Sequence, residues 1–259
     1  MNFDEQFKVY KEIFSKYTKY DGSVVQQHIE KLTEMDKIIP PMESYTMLLN
    51  VTKNCHEFLS KNFEYVAGYT VDEVKRNGGV EFIISKFHPN DITEWMTCIK
   101  ELMDIMIHKV PNDKKDKISA SYNYRLQKKN GEYINIIEYI SPIYFDENNV
   151  PVIGFAHCTV IGRDFEYPII GNIRMLNDAG EYETLFHKNF SHESLRTKLT
   201  NREIDVLRLI ALRKTSKEIG EKLCISSHTV DSHRRKILKK MKFKSTGEII
   251  QYCKENFLI

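Results

Sequence analysis

At 259 residues and 41% hydrophobic content, the chain is long enough for two domains, each with its own core. Its formal charge of +2 hides a division: residues 196–259 carry 16 Lys/Arg against 7 Asp/Glu, and residues 1–195 carry 22 against 29. The charged start MNFDEQFKVYKEIF, the lack of any run of about 18 apolar residues, and five scattered cysteines (Cys55, Cys98, Cys158, Cys224, Cys253) outside any CxxC or Cys/His cluster argue against a secretory signal, a membrane span, a disulfide framework and a zinc site. A protein of the reducing bacterial cytoplasm is expected.

Residues 1–42 read as helices. Phe3, Phe7, Tyr10, Phe14 and Tyr17 recur at spacings of three and four, which is one face of a helix. A second helical stretch runs from Ser23 to Ile38 and stops at Pro40–Pro41. An aromatic stripe of this kind either packs on its own domain or forms a dimer seam.

From residue 43 the pattern changes. Tyr45–Val51 and His56–Ser60 are strand-like, and short helices surround GYTVDEV between Lys61 and Lys75. FHPND then introduces a long helix from Asp91 to His108, with Asp91 and Glu94 at capping-box spacing. After the loop PNDKKDK come three β-rich runs, Ile118–Gln127, Tyr133–Tyr144 and Val150–Ile161, separated by the turn signals KKNGE and DENNVP. The expected product is an antiparallel sheet with helices against one face.

The strings FEYVAGYTVDEV, FHPND and YRLQKKNGEYINI make residues 43–165 resemble a PAS domain. The resemblance implies a pocket between sheet and helices that senses a small molecule, light or redox state, and a tendency to pair. The string NCHEFLS around Cys55 is similar to the cysteine motif of flavin-binding PAS domains but precedes the GY segment instead of following it, so no flavin is expected. His88 and His108 flank the long helix, where haem-binding relatives place a ligand; a lone His is more simply a surface or capping residue. No cofactor is assigned, and an unidentified small ligand is left open. Trp95 either lines the pocket or packs the core.

Ile169–Leu176 and Tyr182–Phe186, joined by Asn177-Asp178-Ala179-Gly180, read as a β-hairpin that extends the sheet or bridges to the C-terminal part. HKNFSHESLRTK marks a flexible boundary near 190–197. The domains are thus 1–42 N-terminal helices, 43–165 PAS-like, 166–195 hairpin and linker, and 196–259 helical.

Residues 199–250 read as four short helices. Thr200 with Glu203, Thr215 with Glu218 and Ser245 with Glu248 have capping-box spacing, and Ser226 or Ser227 can cap the third helix. Val206, Leu207, Ile210 and Ala211 form one apolar stripe, Ile219 and Leu223 the next, Val230, Ile237 and Met241 the third, and Ile249, Ile250 and Cys253 the last. The turn from Cys224 to Ser227 is short enough to set its helices at a large angle. The third helix and its end carry Arg234, Arg235, Lys236, Lys239, Lys240, Lys242 and Lys244. Alone, such a run is a solvated face; on this framework it fits a helix laid in a DNA groove.

The strings LTNREIDVL, TSKEIGEKLCISSHTVDSH and ILKKM make this segment resemble the LuxR-type DNA-binding domain. The resemblance implies a recognition helix beginning near Ser227, with Asp231, Ser232 and Arg235 reaching base edges. Thr229, His233, Arg234 and Lys239 lie near the DNA backbone or brace the helix. Together with Ser226, Ser227 and Lys240 these form the expected contact set for double-stranded DNA. Arg235 matches the two acceptors of guanine, Asp231 either accepts from cytosine or repels wrong sites, and His233 is first a packing residue. Arg213 and Lys242 stand where the family usually has Gly, and Gly220 where it usually has Ala, which is expected to loosen the second helix. The fourth helix offers Tyr252, Ile249 and Cys253 as dimer contacts, with a core role for Ile249 equally open.

The expected fold class is α+β, a PAS-like antiparallel sheet followed by an all-α four-helix segment. No phosphate-cradling glycine loop or GxSxG turn is present, Gly78–Gly79 is an isolated pair, and no enzyme is expected. Three functions compete: a regulator gated by a small-molecule signal or partner and acting as a homodimer, a response regulator controlled by phosphorylation, and a protein–protein adaptor that no longer binds DNA. The second needs alternating βα units, which residues 1–195 do not suggest. An acyl-homoserine lactone receptor is a variant of the first, similar only in the C-terminal part.

Overall fold

A computed structural model describes residues 3–14, 25–163, 167–191 and 199–255. Two compact units emerge: Met1–Phe165 with Ile169–Lys188, and Glu166–Pro168 with Asn189–Ile259. Most of the stretch expected as a flexible boundary, and Tyr17 of the aromatic stripe, lie outside the described residues.

The first unit is built on one seven-stranded sheet. In chain order the strands are β1 (Ser44–Asn50), β2 (Cys55–Leu59), β3 (Ile118–Gln127), β4 (Tyr133–Phe145), β5 (Pro151–Gly162), β6 (Ile170–Leu176) and β7 (Tyr182–Asn189). Their spatial order is β2-β1-β5-β4-β3-β6-β7, and β1–β2, β1–β5, β3–β4, β3–β6 and β4–β5 pair antiparallel. A phosphoryl-receiver domain would need parallel βα units, so this order departs from the response-regulator reading. The hairpin β6–β7 extends the sheet through the β3 edge.

The helices are α1 (Phe3–Phe14), α2 (Gln26–Ile38), α3 (Asn62–Ala67), α4 (Val71–Arg76), α5 (Val80–Ser85) and the 20-residue α6 (Pro89–His108). They do not all lie on one face. Leu49 of β1 faces a cavity shared with α6, whereas Leu48, on the opposite face by strand alternation, packs with Ile29 and Leu32 of α2.

The three strings that carry the PAS resemblance are bonded to one another. Phe87 bridges Leu126, the His88 N–H donates to the Arg125 carbonyl at 2.9 Å, and the Asp91 carboxylate accepts from the Arg125 guanidinium and from its backbone N–H at 3.0 Å. The Lys129 N–H in the β3–β4 turn donates to Ala67 O at 2.8 Å, and its ammonium reaches Glu73 at 2.6 Å. The expected Asp91–Glu94 capping box does not form. Helix α6 starts earlier, at Pro89, and His88 caps it by accepting from the Asn90 N–H at 3.2 Å. Asp91 is needed across the fold instead. A capping box does form at Thr70–Glu73, within GYTVDEV.

The second unit contains α7 (Asn201–Ala211), α8 (Ser216–Leu223), α9 (Ser227–Met241) and α10 (Thr246–Glu255). Val206, Ile219, Val230, Ile237, Ile249 and Cys253 are fully buried in its core. Reciprocal boxes close at Thr200–Glu203 and Thr215–Glu218. At the fourth helix only half of the expected box is present: Ser245 Oγ accepts from the Glu248 N–H, while the Glu248 carboxylate turns back to the Lys244 N–H.

Candidate nucleic-acid interface and sensor cavity

Helix α9 begins at the N-cap Ser226, whose hydroxyl accepts from the Thr229 N–H at 3.1 Å and pairs with the Thr229 hydroxyl at 2.8 Å. Cap bonds of this kind fix the entry of a short helix, and they use Ser226 and Thr229 structurally. Ser227 and Arg235 are exposed, and Ser232 is partly so. The Arg235 guanidinium lies along its own helix, 3.5 Å from Asp231 O and 3.4 Å from Ser232 Oγ. Asp231 accepts from Ser216 Oγ of α8 at 2.6 Å, so it ties the two helices of the motif together. Arg234 donates to Lys214 O at 2.8 Å and braces the α7–α8 turn. Lys239 is exposed. Lys240 turns inward to the Glu203 carboxylate at 2.6 Å. Burial pushes Glu203 up, but the bonds from Lys240 and Thr200 outweigh it and hold the carboxyl below its ordinary value. His233 buries its Nδ1, as a packing residue does.

The helix ends follow the departures read from sequence. Arg213 and Lys242 both take φ of 58°, the left-handed region that costs a side chain about 1–2 kcal/mol; Phe243 N–H then closes on Leu238 O at 2.9 Å. Gly220 corrects its expectation. A Cβ there would stand 2.6 Å from Ile225 O, because the turn folds back so that Ile225 N–H bonds Gly220 O at 2.9 Å. The glycine admits the turn instead of merely loosening the helix. Gly220→Ala is expected to lower the stability of the helical unit by about 1–2 kcal/mol, since overpacking against backbone exceeds the helix-propensity gain of about 1 kcal/mol. Circular-dichroism melts of the full chain check this; a higher-melting variant would refute it.

Of the proposed dimer contacts, Ile249 and Cys253 are fully buried in the core of their own unit. Tyr252 is half-buried against Phe243, ring centroids 5.2 Å apart.

In the first unit an apolar cavity of about 60 Å³ lies between α6 and the sheet, lined among others by Trp95, Ile99, Met103, Tyr122 and Gly154. Tyr10 of α1 lines it too and stacks on Trp95, centroids 5.8 Å apart and planes 17° apart. The aromatic stripe therefore packs on its own domain at Phe7 and Tyr10, which are both buried. Trp95 meets both expectations, since it lines the cavity and packs in the core.

Next to the cavity wall runs a row that the sequence does not single out. Tyr122, Glu138, Cys158 and Tyr45 are direct cross-strand partners on β3, β4, β5 and β1. Tyr122 donates to one Glu138 oxygen at 2.5 Å and Tyr124 to the other at 3.1 Å. Desolvation drives the Glu138 carboxyl up to about 7, although the two tyrosines and Cys158 pull it down. The available signal was period-two spacing: Glu138 shares a strand face with Ile134, Ile136 and Ile140. Cys55 sits in β2, its thiol pushed up to about 11 by burial and by Glu57. His108 is an exposed residue 3.9 Å from Asp104. Among the described residues no group of three or more His, Cys, Asp or Glu is placed to hold a metal, and no helix is long and apolar enough to cross a membrane.

Residues 197–253 match the family described as bacterial regulatory proteins, luxR family, and residues 56–156 match the PAS fold. The chain carries a LuxR-type helix-turn-helix domain behind a PAS domain. It is 39% identical over 61 residues to the oxygen regulatory protein NreC of Staphylococcus carnosus, covering 24% of this chain and 28% of that protein. It is 43% identical over 68 residues to the transcriptional regulatory protein LiaR of Bacillus subtilis, covering 26% and 30%. The chain thus spans under a third of the length of these curated relatives. A solved structure of the Vibrio cholerae VqmA dimer aligns over 88% of this chain and 87% of its own at 15% identity with a TM-score of 0.33, too loose a superposition to bear on function. In the LuxR-type domain, α8 and α9 are the two helices of the motif. The cavity lies largely within the PAS domain, with Tyr10, Leu49 and Val51 of its lining ahead of the matched segment.

Proposed function

We propose that this protein is a DNA-binding transcriptional regulator of the bacterial cytoplasm, in which the PAS domain senses a small molecule or a partner and controls promoter binding by the LuxR-type domain. The observation that carries this reading is helix α9: capped at Ser226, tied to α8 through Asp231–Ser216, and bearing exposed Arg235 and Lys239 on a segment of strongly positive charge. A helix held this way enters the major groove by its N-terminal half, while its cations meet phosphates. Arg235 reads a base edge once it swings off its own helix, helped by Ser232. Ser227, Thr229 and Lys239 serve the DNA backbone. Ser226, Asp231, Arg234 and Lys240 contribute by holding the helix in place. The protein acts as a homodimer, and the signal changes the availability or spacing of two recognition helices. No catalytic step is assigned.

Fluorescence anisotropy with promoter duplexes tests the reading. Arg235→Ala is expected to cost about 1–3 kcal/mol on the best site and to relax preference at one base pair. Lys239→Ala is expected to weaken all duplexes alike and to flatten the salt dependence by about one phosphate. Absence of affinity for any duplex at low salt would favour the adaptor reading instead.

A further inference from the structure

Trp95 poses a question that packing alone leaves open. It is buried, 4% exposed, and edge-on contacts with Phe87 and Tyr122 at centroid distances of 5.0 and 6.3 Å, together with the Tyr10 stack, fix its ring. Yet its Nε1–H has no hydrogen-bond partner among the described residues. A buried donor left unpaired keeps its desolvation cost, and buried indoles ordinarily find an acceptor. The ring carrying this donor lines the cavity. No Asp, Glu, Lys or Arg is among the lining residues, and both oxygens of nearby Glu138 are engaged by Tyr122 and Tyr124.

Resting on the sensor reading above, we infer that the cavity is a binding site for a compact, uncharged molecule bearing one hydrogen-bond acceptor, which takes the Trp95 Nε1–H, and that Tyr10 of α1 supplies one wall of the site. Size, charge and polarity each narrow the class. At about 60 Å³ the space exceeds the ~10–15 Å³ needed for one water and falls short of the ~150 Å³ that encloses benzene. A charged ligand would lie in an apolar site with no counter-ion, at a large desolvation cost. A wholly apolar ligand would leave the indole donor unsatisfied. A small ketone, amide or sulfoxide group meets all three conditions. Because Tyr10 stacks on the indole and lines the cavity from a helix that precedes the PAS segment, occupancy also stabilises the docking of α1.

Trp95 is the only tryptophan of the chain, so full-length ¹⁵N-labelled protein gives one indole N–H signal. Acetone and its isostere isobutene are titrated while that signal is followed. Acetone is expected to shift the signal saturably and to bind at least tenfold more tightly than isobutene. In Trp95→Phe, followed by saturation-transfer signals of the probes, the two should bind alike; in Tyr10→Ala acetone should weaken tenfold or more. An unresponsive indole signal, or equal affinity for both probes in the unsubstituted protein, overturns the inference. Duplex binding is measured on the same samples. Retained DNA affinity with a silent indole sinks this inference and leaves the proposed function standing, whereas lost DNA affinity with a responsive indole does the reverse.

Discussion

Replacing Asp91 with Ala is expected to cost the PAS domain about 3 kcal/mol or more. The carboxylate side chain is 6% exposed and its partner guanidinium 14%, so the pair sits where water screens poorly. Asp91 accepts from the Arg125 side chain and also from the Arg125 backbone N–H. Its removal therefore takes from a part-buried cation and from a strand N–H the acceptor that both share. Breaking such a pair from one side costs more than the pair itself contributes, because the surviving charge keeps its desolvation penalty. The position also fastens the start of α6 to β3, so the cavity wall should loosen with it. Urea unfolding of the full chain, read by Trp95 fluorescence, measures both effects. A midpoint shift equivalent to under about 1 kcal/mol would place Asp91 among ordinary surface pairs.

Glu138→Gln is expected to change how stability depends on pH. In the folded PAS domain the carboxyl titrates near 7, raised from 4.5, so between these values the folded chain holds a proton that the unfolded chain has released. Stability contributed by this group is complete below about pH 4.5 and is lost as pH rises through 7. At about 1.4 kcal/mol per pH unit of displacement, the loss approaches 3 kcal/mol. Gln keeps the size and one carbonyl acceptor for Tyr122 but does not titrate. The stability difference between variant and unsubstituted protein should therefore move by about 3 kcal/mol in favour of Gln between pH 5 and pH 8. Chemical unfolding at several pH values gives that difference directly. A difference constant across the range would mean that Glu138 is ionised in the folded protein throughout.

Much of the chain is legible because its signals are local. Cap residues three positions from a Glu, apolar residues at helical spacing, and turn strings such as KKNGE act within a few residues, and each yields an element close to its observed limits. Where sequence and structure part, a distant partner has claimed the side chain. Asp91 has the spacing of a capping box but is held by Arg125, 34 residues on. Lys240 also pairs with Glu203 and Asp231 with Ser216, two partners that spacing along the chain does not announce. Helix propensity makes Gly220 a weak point of its helix, whereas the carbonyl of Ile225 decides its identity. Helix α5 escapes sequence reading because six residues behind the Gly78–Gly79 pair are too few to display a helical period.

What the linear order determined by itself was the kind of each segment: alternation made strands, three-and-four spacing made helices, and a surplus of cations after residue 195 set the helical end apart. These properties depend on backbone geometry and on charge, which neighbours along the chain suffice to set. Only the tertiary structure decided which polar groups find one another, because pairing across a sheet or between helices depends on register and not on distance in sequence. The row Tyr122–Glu138–Cys158–Tyr45, drawn from four strands, and the cavity that Tyr10 and Trp95 line together exist only once that register is set.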